Sequence, residues 1–245
     1  MDDLATPESV GRFKRALYDA GSPPAPPGGA GAAPHQALMR NPAAMPVKLA
    51  FLEAVARALG DDWCDDSRSF LDITIAMGRL QVVLRKLMLA NAAQWAPLSR
   101  GSALITVPPG EEHHFGQCIV EELFRARGWS TDLFCPADEG ELVARITAGR
   151  FDIVCLSWST AALTDIAASA IEAIEKLPAR MRPAVIAGGL ASRDNSGWMV
   201  RLGVDCICDS TYGALAVAQA MLDQRIAAGG ALPPGAMTRP SAVVT

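Results

Sequence analysis

From Gly101 onward, short apolar runs alternate with helical periodicities, and this alternation restricts the fold more than any other feature of the chain. SALITV (102–107), STDLF (130–134), FDIVCLS (151–157), AVIAGG (184–189) and VDCIC (204–208) read as strands. His113 to Arg127, Glu139 to Ala148, Ala161 to Lys176, Asn195 to Leu202 and Thr211 to Asp223 read as helices. Apolar strands separated by helices require a parallel sheet covered on both faces. The pattern therefore predicts an α/β, flavodoxin-like (Rossmann-like) five-stranded parallel sheet. Such sheets bind ligands at the carboxyl ends of their strands.

Residues 46–98, ahead of this domain, read as a small helical subdomain. Leu52, Val55 and Leu59 recur at helical spacing, and Gly60 is expected to stop that turn. Phe70, Ile73, Met77, Leu80, Leu84 and Leu87 describe one buried stripe, with Arg79, Arg85 and Lys86 off it. Ser67 or Ser69 suits the N-cap, and Pro97 ends the section. Residues 1–45 read as a flexible Pro/Gly/Ala-rich arm, centred on GSPPAPPGGAGAAPH, Gly21 to His35. Within the arm, Val10 to Ala20 has the pattern of a short amphipathic helix. The α/β domain spans 101–223, and 224–245 reads as a flexible tail.

The formal net charge of −4 lacks the basic footprint of nucleic-acid binding, so no direct contact with nucleic acid is expected. No apolar run approaches the ~18 residues of a membrane span, and MDDLATPESV lacks the apolar core of a secretory signal. The six cysteines form no CxxC pair. Together these features predict reduced thiols in a cytoplasmic protein.

GEEHHFG, Gly110 to Gly116, holds two of the three histidines of the chain. It falls between the first strand and first helix of the sheet domain, on the ligand-facing side. An imidazole with Glu111 two residues before it has the makings of a metal ligand: one ring nitrogen binds while the carboxylate holds the other N–H. A plainer reading makes His113 or His114 a hydrogen-bonded residue at a helix start. Gly116 would let the first helical turn lie close to a bulky ligand. The other strand ends place Ser157, Ser159 and Thr160, then Gly188-Gly189, then Asp209 at the same rim. Here too plainer roles exist: Ser159, Thr160 and Asp209 suit helix caps, and Gly188-Gly189 suits a turn.

Glu111-x-His113-x-x-Gly116, Ser157-x-Ser159 and Gly188-Gly189 together resemble the cobalamin-binding domain pattern Asp-x-His-x-x-Gly…Ser-x-Leu…Gly-Gly, over about Gly101 to Leu222. Glu111 stands where that family has Asp, and Ser159 where it has Leu. The first departure keeps a carboxylate; the second bears on packing around the nucleotide tail. The resemblance implies that the cofactor's own base leaves the cobalt and that His113 takes its place as metal ligand. It gives His114 only a surface or cap position. Glu111, Gly116, Ser157, Ser159, Thr160, Gly188, Gly189 and Asp209 would line the cofactor.

Trp63-x-x-Asp66-x-x-Ser69-Phe70, Asp72-Ile73-Thr74 and Arg79-Leu80-Gln81 resemble the AerR/PpaA antirepressors of photosynthetic bacteria. Those are cobalamin-binding, light-responsive regulators acting on a CrtJ/PpsR-type repressor of photosystem genes. A related sensor domain, that of the AppA proteins, can carry heme, which makes heme on His113 an alternative cofactor. In the similar CarH light sensors a helical bundle lays a tryptophan over the upper corrin face, and Trp63 is the candidate here; a core aromatic is the plainer role. Unlike CarH, no helix-turn-helix precedes the bundle, so protein–protein contact is expected rather than operator recognition. The implied protein is a regulator and not an enzyme. The alternative is a corrinoid protein of a methyltransferase or mutase system.

Overall fold

The computed structural model describes residues 4, 6–19, 34–91, 101–193 and 196–227. The chain divides into two compact units, Met1–Trp95 and Ala96–Thr245. The Pro/Gly/Ala linker at 20–33, Pro97, the end of the tail at 228–245 and the start of the helix expected from Asn195 lie outside the described residues.

The first unit is built from α1 (Pro7–Asp19), α2 (Pro34–Arg40), α3 (Met45–Cys64) and α4 (Phe70–Asn91). The arm expected over 1–45 therefore contains two helices. Phe13 and Leu17 on α1 are buried, and Phe13 meets Phe51 of α3 edge-on at 5.1 Å. Each such side chain contributes roughly 1.5–3 kcal/mol on burial, which offsets the ordering of the segment. Polar ties add to it. Lys14 Nζ and Tyr18 Oη both reach the Asp62 carboxylate at 2.7 Å. Arg79 donates to the carbonyls of Leu17 and Tyr18, at the carboxyl end of α1, where a cation is favoured.

Gly60 does not stop α3, which runs on to Cys64. A helical glycine costs only about 1 kcal/mol relative to alanine, less than the burial of Leu59 contributes. The chain instead turns at Asp66, whose φ is +50°. Ser69 caps α4: its Oγ accepts the Asp72 N–H at 3.2 Å and donates to the Asp72 carboxylate at 2.8 Å. The buried stripe of α4 starts later than expected, with Ala76, Leu80, Val83, Leu84 and Leu87 inside and Phe70 69% exposed.

The second unit is a five-stranded, all-parallel sheet in the order β2-β1-β3-β4-β5. Its strands are β1 (Ser102–Thr106), β2 (Ser130–Phe134), β3 (Ile153–Ser157), β4 (Ala184–Gly188) and β5 (Cys206–Ile207). The helices are α5 (Phe115–Ala126), α6 (Glu139–Gly149), α7 (Thr164–Glu175), α8 (Leu190–Arg193), α9 (Ser196–Leu202) and α10 (Thr211–Ala227), with a 3-10 turn at Ala161–Leu163. This is the flavodoxin-like doubly wound order. On one face Leu142, Ile146, Ile171, Ile174 and Met199 pack on Val154, Leu156, Val185 and Ala187. On the other, α5 lies along β1 and β2 and packs against α10.

Ion pairs and hydrogen bonds fix the amino ends of the strands. Asp152 accepts from the Ser102 backbone and hydroxyl, both at 2.9 Å, and pairs with Arg225. Asp205 accepts the Val185 N–H at 2.8 Å, and buried Arg182 bonds Glu175 and the Gly203 carbonyl. The carboxyl ends open into the loops that carry the candidate site.

Candidate functional site at the carboxyl rim of the sheet

The loop leaving β1 turns sharply at Pro108–Glu111. The Glu111 N–H reaches back to the Pro108 carbonyl at 3.2 Å, and Gly110 takes a φ of +86°. Proline then glycine at the two central positions is the signature of a type II turn. Pro109-Gly110 is a signal that the motif reading passed over, and it aims the next side chain inward.

That side chain is Glu111, whose carboxylate is 1% exposed. Its Oε1 accepts the backbone N–H of His113 at 2.9 Å and lies 2.6 Å from His113 Nδ1. Its Oε2 accepts the Ser159 backbone N–H at 2.8 Å. One carboxylate therefore stitches the loop after β1 to the loop after β3. Burial pushes its pKa upward, but the N–H groups of Ser159 and His113 outweigh burial and hold it below the usual carboxylate value. An ionised carboxylate only accepts, so Nδ1 is the donor to Glu111 and Nε2 is the ring nitrogen left to meet a ligand. The His113 side chain is 67% exposed, so that nitrogen belongs to a ring that is open to solvent but oriented by the carboxylate.

The other expected residues divide by role. Ser157 ends β3 opposite Gly188. Ser159 acts through its backbone rather than its hydroxyl. Thr160 stands at the N-cap of the 3-10 turn without a side-chain capping bond. Asp209 lies just after β5, but Ser210 caps α10, its Oγ accepting the Gly213 N–H at 3.1 Å. Gly189 is demanded by the fold itself: its φ is +94°, and a Cβ there would stand 2.2 Å from the Trp158 carbonyl oxygen. Gly188 and Gly116 are different. A Cβ at Gly188 would make an ordinary 3.5 Å contact, and one at Gly116 would meet nothing within 4 Å. Trp63 belongs to the other compact unit, in the last turn of α3; it is 49% exposed and meets Phe70 edge-on at 5.6 Å.

Trp158 gains a role that its sequence position did not announce, and His114 takes the cap position expected of it. Trp158 is fully buried against the α6–α7 face and anchors the β3 loop, its backbone N–H donating to the Gly188 carbonyl at 3.2 Å. His114 takes the N-cap position of α5, and its Nδ1 lies 2.6 Å from Gln117 Nε2.

No family model matches the chain. A protein of Rhodobacter capsulatus, described as an uncharacterized 20.5 kDa protein in the bchF-crtJ intergenic region, is 29% identical over 159 residues, covering 64% of this chain and 82% of its own length. The monomethylamine corrinoid protein of Methanosarcina barkeri superposes with a TM-score of 0.69 at 13% identity, over 88% of this chain and 99% of that one. A novel cobalamin-binding protein of Desulfitobacterium hafniense DCB-2 gives 0.47 at 16% identity, over 90% of this chain and 99% of that one. At 13% identity the Methanosarcina likeness establishes the fold, which is the one predicted from the alternation of strands and helices.

Proposed function

We propose that the chain holds a cobalamin-type corrinoid through His113 Nε2 and acts as a regulator, not an enzyme. The observation that carries this reading is the exposed imidazole, oriented by a buried carboxylate at the ligand-binding end of the sheet. Ligating histidines are held in this way because the second bond fixes the ring and raises its basicity. Among the described residues no group of three or more His, Cys, Asp or Glu could hold a bare metal ion. A single imidazole suits a metal whose remaining in-plane ligands come from a macrocycle. Gly116 and Gly188, which the protein's own packing does not require, leave room for a bulky group beside it.

In this reading Glu111 holds the Nδ1 proton and keeps the ring upright. Ser157, Ser159, Thr160, Gly188, Gly189 and Asp209 line the cleft beside the strand ends. Trp63, half-exposed on the helical unit, is the candidate that the resemblance to the CarH light sensors offers for contact with the cofactor. When bound, the corrinoid supplies light absorption and an upper ligand that light or exchange can remove. The protein's part is to bind the two ligand states with different affinity, which is the only way a ligand shifts a conformational equilibrium.

The regulatory target we infer is a CrtJ/PpsR-type repressor. Two observations support it: the AerR/PpaA-like residues of the helical unit, and a relative whose description places its gene beside crtJ. The formal charge of −4 favours a protein partner over nucleic acid.

The test is a titration of the purified chain with hydroxocobalamin and, separately, with hemin, followed by capture of a CrtJ/PpsR-type repressor in the dark and after illumination. The reading expects corrinoid bands that are lost in His113→Ala and kept in His114→Ala, and repressor capture that changes with light. An intense Soret band with no corrinoid uptake would put heme in the site. Methyl transfer from a small donor, with no repressor capture, would replace the regulator by a methyltransferase component.

A further inference from the structure

Helix α4 carries two apolar stripes, and the packing of the helical unit uses one of them. Ala76, Leu80, Val83, Leu84 and Leu87 are buried. Leu71, Ile75, Val82 and Leu89 are between 42% and 70% exposed. With 3.6 residues per turn these four fall within about 40° of one another, on the side of the helix away from the buried stripe. Gly78 and Arg85 complete the row, so that 71, 75, 78, 82, 85 and 89 advance by alternate steps of four and three. That is the repeat of a seam between two packed helices, narrower than the stripe with which a helix faces a core. The row runs along about 27 Å of helix. Single apolar side chains on a surface need no partner, but a continuous row marks an interaction face.

Gly78, in the middle of the row, is not required by the unit's own packing. A Cβ there would meet nothing within 4 Å, and glycine inside a helix weakens it relative to alanine. Bare backbone at the centre of an apolar row lets a second helix come close.

Charge indicates which helix that is. The exposed carboxylates Asp65, Asp66 and Asp72 stand at the amino end of α4, and exposed Arg85 stands in its carboxyl half. Two copies of α4 running antiparallel set the acidic end of each against the basic half of the other. Running parallel, they would set like charges together, which is unfavourable. The apolar row is self-complementary in the same antiparallel sense. Laid end to end, Leu71 of one copy faces Leu89 of the other, Ile75 faces the aliphatic stem of Arg85, and Val82 enters the space over Gly78.

We propose that the exposed row of α4 is a dimer interface, covered by the α4 of a second copy of this chain packed antiparallel about a two-fold axis near the middle of the helix. Such a contact uses the same patch on both copies, so each side chain of the row acts twice. The inference does not rest on a bound cofactor.

The experiment is sedimentation equilibrium of the reduced, ligand-free, full-length chain at increasing concentration; reduction removes disulfide-linked species. The expected mass is 25.8 kDa at high dilution and doubles as concentration rises. Val82→Glu puts two unpaired carboxylates into the seam and should weaken association about tenfold or more. Ile75→Glu should act in the same way. Gln81→Glu, an equal change of charge at an exposed position of α4 off the row, should leave the dimer intact. Because all three positions are exposed, circular dichroism and the urea midpoint of the dilute variants should match the parent. A parent chain that stays monomeric at every concentration would overturn the proposal without recourse to any variant. A dimer that survives both Val82→Glu and Ile75→Glu would overturn it too.

Discussion

Glu111→Gln removes one charge and almost no volume from the centre of the proposed site. The carboxylate accepts two N–H groups at Oε1 and one at Oε2. An amide offers only one oxygen. If that oxygen faces His113, the Ser159 N–H meets an NH2 group; if it faces Ser159, both His113 donors do. At least one bond to a charged acceptor is lost, worth about 1.5–3 kcal/mol when buried. Ser159 is exposed, so water replaces part of the loss, and a fall of about 1–2 kcal/mol in unfolding free energy is expected. Because the folded-state pKa of Glu111 is depressed, its contribution is present above the ordinary carboxylate value of 4.5 and disappears as pH falls through the folded value. Urea unfolding should therefore separate the variant from the parent at neutral pH and merge them in acid. Corrinoid affinity should fall about 10–100-fold, the usual effect of deleting a carboxylate behind a ligating histidine. A variant with the parent's stability and affinity at neutral pH would refute the reasoning, and so would a stability gap that persists unchanged in acid.

Gly189→Ala should destabilise the second unit by about 2–4 kcal/mol in urea unfolding, because the added Cβ overlaps the Trp158 carbonyl and the positive φ is unfavourable. Gly116→Leu should do the opposite: stability within about 1 kcal/mol of the parent, since the site opens to free space, yet weakened corrinoid binding by titration. Glu122, 1% exposed and with no partner for Oε2 among the described residues, is pushed up to about 7 chiefly by burial, with Arg125 opposing. A raised carboxyl favours the fold below its ordinary value of 4.5 and loses that advantage as pH rises through about 7; Glu122→Gln should therefore match the parent in acid and exceed it by on the order of 2 kcal/mol in mild alkali. Trp63→Ala should cost the ligand-free chain about 1–3 kcal/mol, an edge-on aromatic pair plus the area of a half-buried ring, while changing which ligands are retained on a bound corrinoid; equal ligand preference in both chains would end the proposed role of Trp63.

The sheet domain was legible because its signal is collective. Five apolar runs at regular spacing admit few architectures, and ordered strands with helices on both faces follow from burial alone. Details set by single residues were harder to read. Gly60 suggested a helix end, but the packing of Leu59 and the following turn outweighs one glycine. Within the arm the amphipathic pattern of Val10 to Ala20 did announce α1, which starts earlier, at Pro7, and is held by Phe13, Leu17 and the Asp62 ties; α2 carried no such signal. At the site, Glu111 and His113 announced themselves by spacing, since a carboxylate two residues before an imidazole can reach its ring. The Ser159 contribution did not, because a backbone N–H carries no side-chain signature. Nor did the two glycines of the β4 loop reveal that one serves the fold and the other leaves space. That distinction depends on Trp158, some thirty residues earlier in the chain and brought alongside only by the β3–β4 pairing. Cys135, whose Sγ lies 3.7 Å from His114 Nδ1, brings the residue after β2 beside the start of α5, a closeness visible only once β1 and β2 are paired.

The central claim is that the His113 imidazole is the axial ligand of a corrinoid cobalt. Its most direct test is electron paramagnetic resonance of the reduced cobalt(II) complex, made once with ordinary protein and once with protein carrying nitrogen-15 histidine. The account predicts that the splitting from the axial nitrogen changes from a triplet to a doublet pattern on labelling, and that His113→Ala abolishes this change. A triplet that survives histidine labelling would show the cofactor's own base still on the metal, and would contradict the account.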